Sequence, residues 1–232
     1  MNIQTISLSI LFGVVPALVW LWFWFKEDNE HPEPKGLILL TFVLGALGVV
    51  AVLPLEKFAK NIISDKNQLT VIWAALEEIV KYIAVAAIAL QSSELEEPID
   101  YVMYFITAAL GFAALENILF LNQPGNLNQA MVNLLTGNLR FLGATLLHTV
   151  SSGIIGIFLA LNLDKSSFMK KIYLLLGLVG AITLHSIFNF FIIKNGGEDF
   201  LKIFGFLWVV TIIFILILEK VRRIGPYYKT KT

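Results

Sequence analysis

Glu77 and Glu78 stand side by side with Lys81 just after them, Glu116 precedes Asn117, and two histidines, His148 and His185, are followed four residues on by Ser152 and Asn189. A carboxylate or imidazole can take a proton from water, a second acid can protonate a leaving amine, and an amide can hold an oxyanion. On a helix, Glu77 and Lys81 (i,i+4) and Glu78 and Lys81 (i,i+3) are neighbours, so one Lys can neutralise either acid. His148 and Ser152 share a helix face, as do His185 and Asn189. The sequence has no Cys, which excludes thiolate ligands, disulfides and a cysteine nucleophile. Ser152 lies a turn from His148, yet no Asp falls within the apolar stretches, so neither a Ser–His–Asp triad nor aspartyl chemistry is available. Glu/His hydrolysis remains, with or without a metal. Glu116, His148 and His185 would make a His₂Glu zinc set with an open fourth position. There is no His-Glu-x-x-His helix, so the reading favours no metal, with zinc as the alternative cofactor.

Positioning these groups falls to an apolar chain. Of its 232 residues, 57% are hydrophobic and 15% charged, with a mean hydropathy of +0.78. Soluble domains sit near 45–50% apolar and about 25% charged. Apolar runs fall roughly at 4–25, 36–55, 69–91, 101–121, 139–162, 171–194 and 200–218, each suited to a hydrocarbon layer about 30 Å thick. The expected fold is all-α: one membrane-embedded bundle over residues 1–232 with about seven transmembrane helices. Its catalytic helices would cover about 69–194, and a basic tail would follow at 219–232. Short interfacial helices are expected at Glu56–Leu69 and Leu127–Thr136. The first run lacks a basic n-region and a small-residue cleavage site, so it reads as a span and not as a cleaved signal. Net charge is zero, which gives no electrostatic case for nucleic acid. Lys26, Lys35, Lys165, Lys170, Lys171 and five tail residues fall on one side, against Lys57, Lys60, Lys66, Lys194 and Lys202 on the other. The positive-inside rule then puts the N-terminus outside and the C-terminus inside.

Charged residues inside spans need a reason, since each costs about 2.5–3.5 kcal/mol at the bilayer centre. With alternating topology and 1.5 Å per residue, Glu77, Glu78, Glu116, His148 and His185 all lie roughly 8–14 Å from the same face. Four helices thus bring polar groups to one layer. Arg140 near the start of the fifth span, with Lys81, Asn117 and Ser152, would support it. Taken singly, each group has a plain reading as a neutralised ion pair or an interhelical hydrogen bond. Jointly they point to a site for hydrolysis. A proton-coupled transporter or channel would use the acids as a relay, although seven spans without a repeat are unlike inverted-repeat transporters. A non-catalytic membrane scaffold is the third reading.

Glu77-Glu78-Ile79-Val80-Lys81 reads as EExxK, Phe112 to Asn117 as FxxxEN, His148 to Ser152 as HxxxS and His185 to Asn189 as HxxxN. The loop Asp28 to Lys35 carries an acidic Pro-Glu-Pro segment. In this order the motifs resemble the PrsW family of intramembrane endopeptidases, akin to the CAAX prenyl endopeptidase and bacteriocin-processing superfamily, over about residues 20–192. The resemblance implies a multi-pass protease of a bacterial cell membrane. Its substrate would be a membrane-anchored protein such as an anti-sigma factor, cut near the outer leaflet. Carried over, it implies catalytic roles for Glu77, Glu78, Glu116, His148, His185 and Asn189. Glutamate-type chemistry is favoured, with a Glu–His pair activating water and Asn189 supporting the oxyanion; a metalloprotease is the alternative.

Overall fold

The computed structural model describes residues 3–27, 33–123, 140–163, 165–194 and 200–224. Within them the chain forms seven long helices and no strand: α1 (Ile3–Glu27), α2 (Lys35–Ile62), α3 (Lys66–Ile88), α4 (Pro98–Leu121), α5 (Arg140–Ala160), α6 (Ser167–Lys194) and α7 (Phe200–Arg222). The expected all-α membrane bundle is therefore present. Six of the helices are long and apolar enough to cross a membrane. The exception is α3, whose 23 residues suffice in length and whose Glu77, Glu78 and Lys81 set it apart in composition.

Several boundaries follow from local chemistry. Asp65 caps α3 by accepting from the Gln68 N–H at 2.8 Å, one of the orphan donors of a helix start. Pro98 opens α4, where a missing N–H costs nothing, and Asp100 accepts from the Glu96 and Glu97 N–H groups at 2.8 and 2.6 Å. The interfacial helix expected from Glu56 is instead the last turns of α2, which continues through Pro54 to Ile62; only the Ile63–Asp65 connection separates it from α3. A proline removes one N–H···O bond and bends a helix, and here it does not end it. The second expected interfacial helix, Leu127–Thr136, lies outside the described residues.

The bundle is built around α4. It packs against α5, α2 and α1, and nearly every residue from Pro98 to Ala114 is buried. A helix enclosed on all sides must be apolar all round, as Val102, Met103, Phe105, Ile106 and Leu110 make it. By contrast α1, α2, α6 and α7 expose large apolar side chains such as Leu18, Leu47, Leu175 and Leu216, the faces that meet lipid. Helices gain no hydrophobic drive from one another inside a bilayer, so close backbone contact must do that work. Gly45 of α2 lies against the Ala108 backbone and Gly111 of α4 against the Phe42 carbonyl, so closely that a Cβ at either position would overlap main-chain atoms. At the far end of the same pair, Tyr104 donates a hydrogen bond to Glu33, just before α2. This contact ties the Pro-Glu-Pro segment to α4. The outcome is a rigid α2–α4 wall beside which α3, α5 and α6 set their polar groups.

Candidate active site

Glu78 is the hub of the polar layer. It is fully buried and accepts four hydrogen bonds from three helices. Its Oε1 takes Lys81 Nζ at 2.8 Å, His185 Nδ1 at 2.8 Å and Ser151 Oγ at 3.1 Å, and its Oε2 takes Ser152 Oγ at 2.7 Å. A buried carboxylate with this many donors is satisfied in its charged form. Lys81, also fully buried, spends its ammonium on Glu78 and on His148 Nδ1, the latter at 2.8 Å, and sits 4.5 Å from the Phe112 ring centre. An imidazole nitrogen that accepts from an ammonium leaves its proton on the other nitrogen. His148 Nε2 therefore donates to Glu116 Oε2, at 2.8 Å. By the same logic His185 donates through Nδ1 to Glu78 and keeps Nε2 as a free lone pair. The two rings meet edge-on, 5.0 Å apart.

Glu77 is different. Its side chain is 7% exposed, and its Oε2 is buried without any hydrogen-bond partner. That oxygen lies 3.7 Å from His185 Nε2 and 3.8 Å from both His148 Nδ1 and Lys81 Nζ. These distances are too long for hydrogen bonds, so four polar atoms ring a small gap. Buried polar atoms without partners are rare and call for a reason. A water bonded to Glu77 Oε2, or a metal ion held by Glu77, His148 and His185, would supply one.

Of the residues singled out in the sequence, Glu77, Glu78, Lys81, Glu116, His148, His185 and Ser152 come together in one contact network. Asn117 does not join it; its Nδ2 donates to Thr145 Oγ1 at 3.2 Å, one turn before Thr149 on α5. Asn189 is half-buried one turn along α6 from His185, and none of the cluster's hydrogen bonds among the described residues reaches it. The side chain of Arg140 lies outside the described residues. Two participants were not anticipated. Ser151 shares Glu78 with Ser152, and Phe112 lies under Lys81 and beside His148. The FxxxE spacing does place Phe112 one turn from Glu116, which is the one sequence signal that could have found it.

Comparison with known proteins points the same way. Residues 33–218 match the family described as "PrsW family intramembrane metalloprotease". The chain belongs to the PrsW family. It is 31% identical over 216 residues to Protease PrsW of Oceanobacillus iheyensis, covering 88% of this chain and 94% of that one. It is 25% identical to Protease PrsW of Shouchella clausii over 221 residues, 92% and 97% of the two chains, and 27% identical to that of Bacillus subtilis over 209 residues, 84% and 88%. No solved structure matches it. As a PrsW-family chain with membrane-crossing helices and bacterial relatives, it is a multi-pass intramembrane protease of the bacterial kind, with a buried Glu/His cluster able to serve metal or acid–base catalysis.

The family description invites a test of the metal. Glu77, His148 and His185 offer three ligand atoms within 4.8 Å of one another. One carboxylate and two imidazoles are a catalytic zinc donor set, and each imidazole has a carboxylate on its other nitrogen, Glu116 or Glu78, as metal-bound histidines commonly do. The donor set therefore fits, with a correction to the expected ligands. The carboxylate that groups with the two histidines is Glu77, whereas Glu116 is held on the far nitrogen of His148. One group bears against the ion: Lys81 already donates to His148 Nδ1.

Proposed function

We propose that this PrsW-family protease cleaves a peptide bond of a membrane-anchored protein with water activated by Glu77, near the membrane face on which α3 begins. The positive-inside count makes that face the outer one, and a regulatory first cut, such as that in an anti-sigma factor, is the class of event it would serve. The observation that carries the reading is the unpartnered Glu77 Oε2, buried opposite the free lone pair of His185 Nε2 at 3.7 Å.

In this reading Glu77 accepts a proton as the water oxygen bonds to the carbonyl carbon. The proton then passes to the amine nitrogen as the C–N bond breaks, and Glu77 is left a carboxylate again. The Lys81 ammonium, 3.8 Å from Glu77 Oε2, is the cation nearest the oxygen's developing charge, and we assign Asn189, one turn along α6 from His185, as the amide that supports it. Glu78 touches no substrate. It holds Lys81 and His185 in place and fixes the His185 tautomer. If zinc is resident, Glu77, His148 and His185 hold it, and it supplies Lewis-acid polarisation and a more acidic water. Because Lys81 occupies His148 Nδ1, we favour the glutamate-type route.

The test is cleavage of a reporter membrane peptide by purified enzyme in liposomes. Glu77→Gln should abolish cleavage without altering the melting transition. Retained cleavage in that variant would remove Glu77 from the role of base.

A further inference from the structure

α1 and α2 follow one another in the chain and both pack on α4, yet they make no substantial contact with each other. Glycines draw each of them to α4: Gly13 of α1 lies against the Ala114 carbonyl, as Gly45 of α2 does against Ala108. Where α1 ends and α2 begins, this leaves a groove of about 420 Å³, lined by Leu18, Leu21 and Phe25 of α1 and by Ile38, Leu39 and Phe42 of α2. Ligand cavities commonly span about 300–1,000 Å³ and form between helices of bundles. Leu18 and Leu39 are exposed, so the groove opens sideways toward lipid. Each wall covers two turns of helix, roughly 10 Å along the bundle.

One end of the groove is polar. Lys35, the first residue of α2, lines it there, is exposed, and makes no ion pair among the described residues. Glu33 also contributes, but it is buried and accepts from Tyr104 on α4. No side chain caps α2 and no acid lies in its first turn, so the N–H groups of that turn add positive potential beside the Lys35 ammonium. Near the same end, α1 carries an exposed Trp22 with Lys26 5.7 Å from its ring centre, a pairing typical of the membrane–water boundary. An apolar slot that opens to lipid and ends in a cation at headgroup height matches a phospholipid, with phosphate at one end and hydrocarbon at the other.

We propose that this groove binds one phospholipid from the leaflet opposite the catalytic layer, with its phosphate on Lys35 and one acyl chain between α1 and α2. The lipid ties α1 to the α2–α4 wall where the two helices do not hold each other. The site is separate from the Glu/His layer and does not depend on which group activates water.

The experiment is native mass spectrometry on the full chain released from detergent. The chain is titrated with dioleoylphosphatidylglycerol or with dioleoylglycerol, which has the same acyl chains and no phosphate. One phosphatidylglycerol per chain should bind roughly tenfold more tightly than dioleoylglycerol. Lys35→Gln should weaken that complex by about the same factor, and Lys35→Arg should leave it close to the unaltered chain. Leu39→Trp and Leu18→Trp fill the groove from exposed positions and should each abolish the one-to-one complex. Leu175→Trp, on the exposed face of α6, should leave it intact. Equal binding of the two lipids, a complex undiminished in Lys35→Gln or in both groove variants, or the same loss in Leu175→Trp would each overturn the proposal. A dimer that forms without lipid and is lost in Leu39→Trp would give the groove to a second copy and overturn it as well.

Discussion

Glu77 and Glu78 are adjacent and chemically identical, and the same change to Gln should damage them in opposite ways. At Glu78 the substitution preserves shape. The amide oxygen can still accept from Lys81, His185 and Ser151, and Ser152 can turn to accept from the new NH₂ group. What is lost is charge: Lys81, fully buried, keeps only the more distant Glu77 carboxylate, 3.8 Å away. Neutral hydrogen bonds between membrane helices average about 0.6 kcal/mol, so even the loss of two would cost little more than 1 kcal/mol. Removing one partner of a buried ion pair costs about 3–5 kcal/mol, and with Glu77 still nearby the lower end applies, so the ion pair dominates. Glu78→Gln should therefore lower stability by about that amount. Glu77→Gln breaks no hydrogen bond at Oε2 and should shift stability by less than about 1 kcal/mol while abolishing cleavage. The assay is unfolding in detergent, followed by the fluorescence of the tryptophans, together with reporter cleavage on the same preparations. A Glu78→Gln/Lys81→Met double variant adds an internal check. With both charges gone it should recover much of the lost stability, giving a coupling energy of about 2–3 kcal/mol between positions 78 and 81. Equal destabilisation by the two single variants, or a coupling near zero, would refute the assignment of Glu78 as the charged hub.

Three further outcomes follow from other features. Cleavage should survive exhaustive chelation, and elemental analysis should find no stoichiometric zinc; one zinc per chain with loss of activity on chelation would assign Glu77, His148 and His185 as ligands instead. Gly45→Leu should abolish the folded, monodisperse protein on size-exclusion chromatography because its Cβ meets the Ala108 backbone, whereas Gly36→Leu, with open space around it, should elute unchanged. Tyr104→Phe removes the donor to the buried Glu33 and should cost about 1–2 kcal/mol, a fall of several degrees in the melting midpoint with kcat/KM little altered.

Much of the site is legible in the sequence, because depth in a membrane can be counted along a helix. Counting from span ends put Glu77, Glu78, Glu116, His148 and His185 at one level, and they meet there. Azimuth cannot be counted in this way. Glu77 and Glu78 differ by about 100° around α3, and only the packing of α5 and α6 shows that Glu78 faces the serines while Glu77 faces the gap. Ser152 was visible through its i,i+4 spacing from His148. Ser151 was not, since its route to Glu78 depends on how α5 is rotated. The full length of α2 escaped notice because a Pro54 followed by charged residues reads as the end of a span, and the continuation of α2 is a tertiary outcome. That Glu77 and not Glu116 groups with the two histidines was hidden for a similar reason: a sequence does not say which nitrogen of His148 a carboxylate will reach.

The polar layer also bears on how the chain is made. Glu77, Glu78 and Lys81 together would cost α3 roughly 8–10 kcal/mol alone in lipid, more than its apolar residues offset comfortably. Their partners are encoded far downstream: His148 follows Lys81 by 67 residues, and His185 follows Glu78 by 107. During synthesis α3 must therefore wait, lodged in the insertion machinery or sheltered against α2 and α4, until α5 and α6 emerge to neutralise it. Its entry into the bilayer is then coupled to the completion of the active site. A chain truncated before α6 should leave α3 poorly integrated and open to degradation, so incomplete copies of this protease would be removed before they could act.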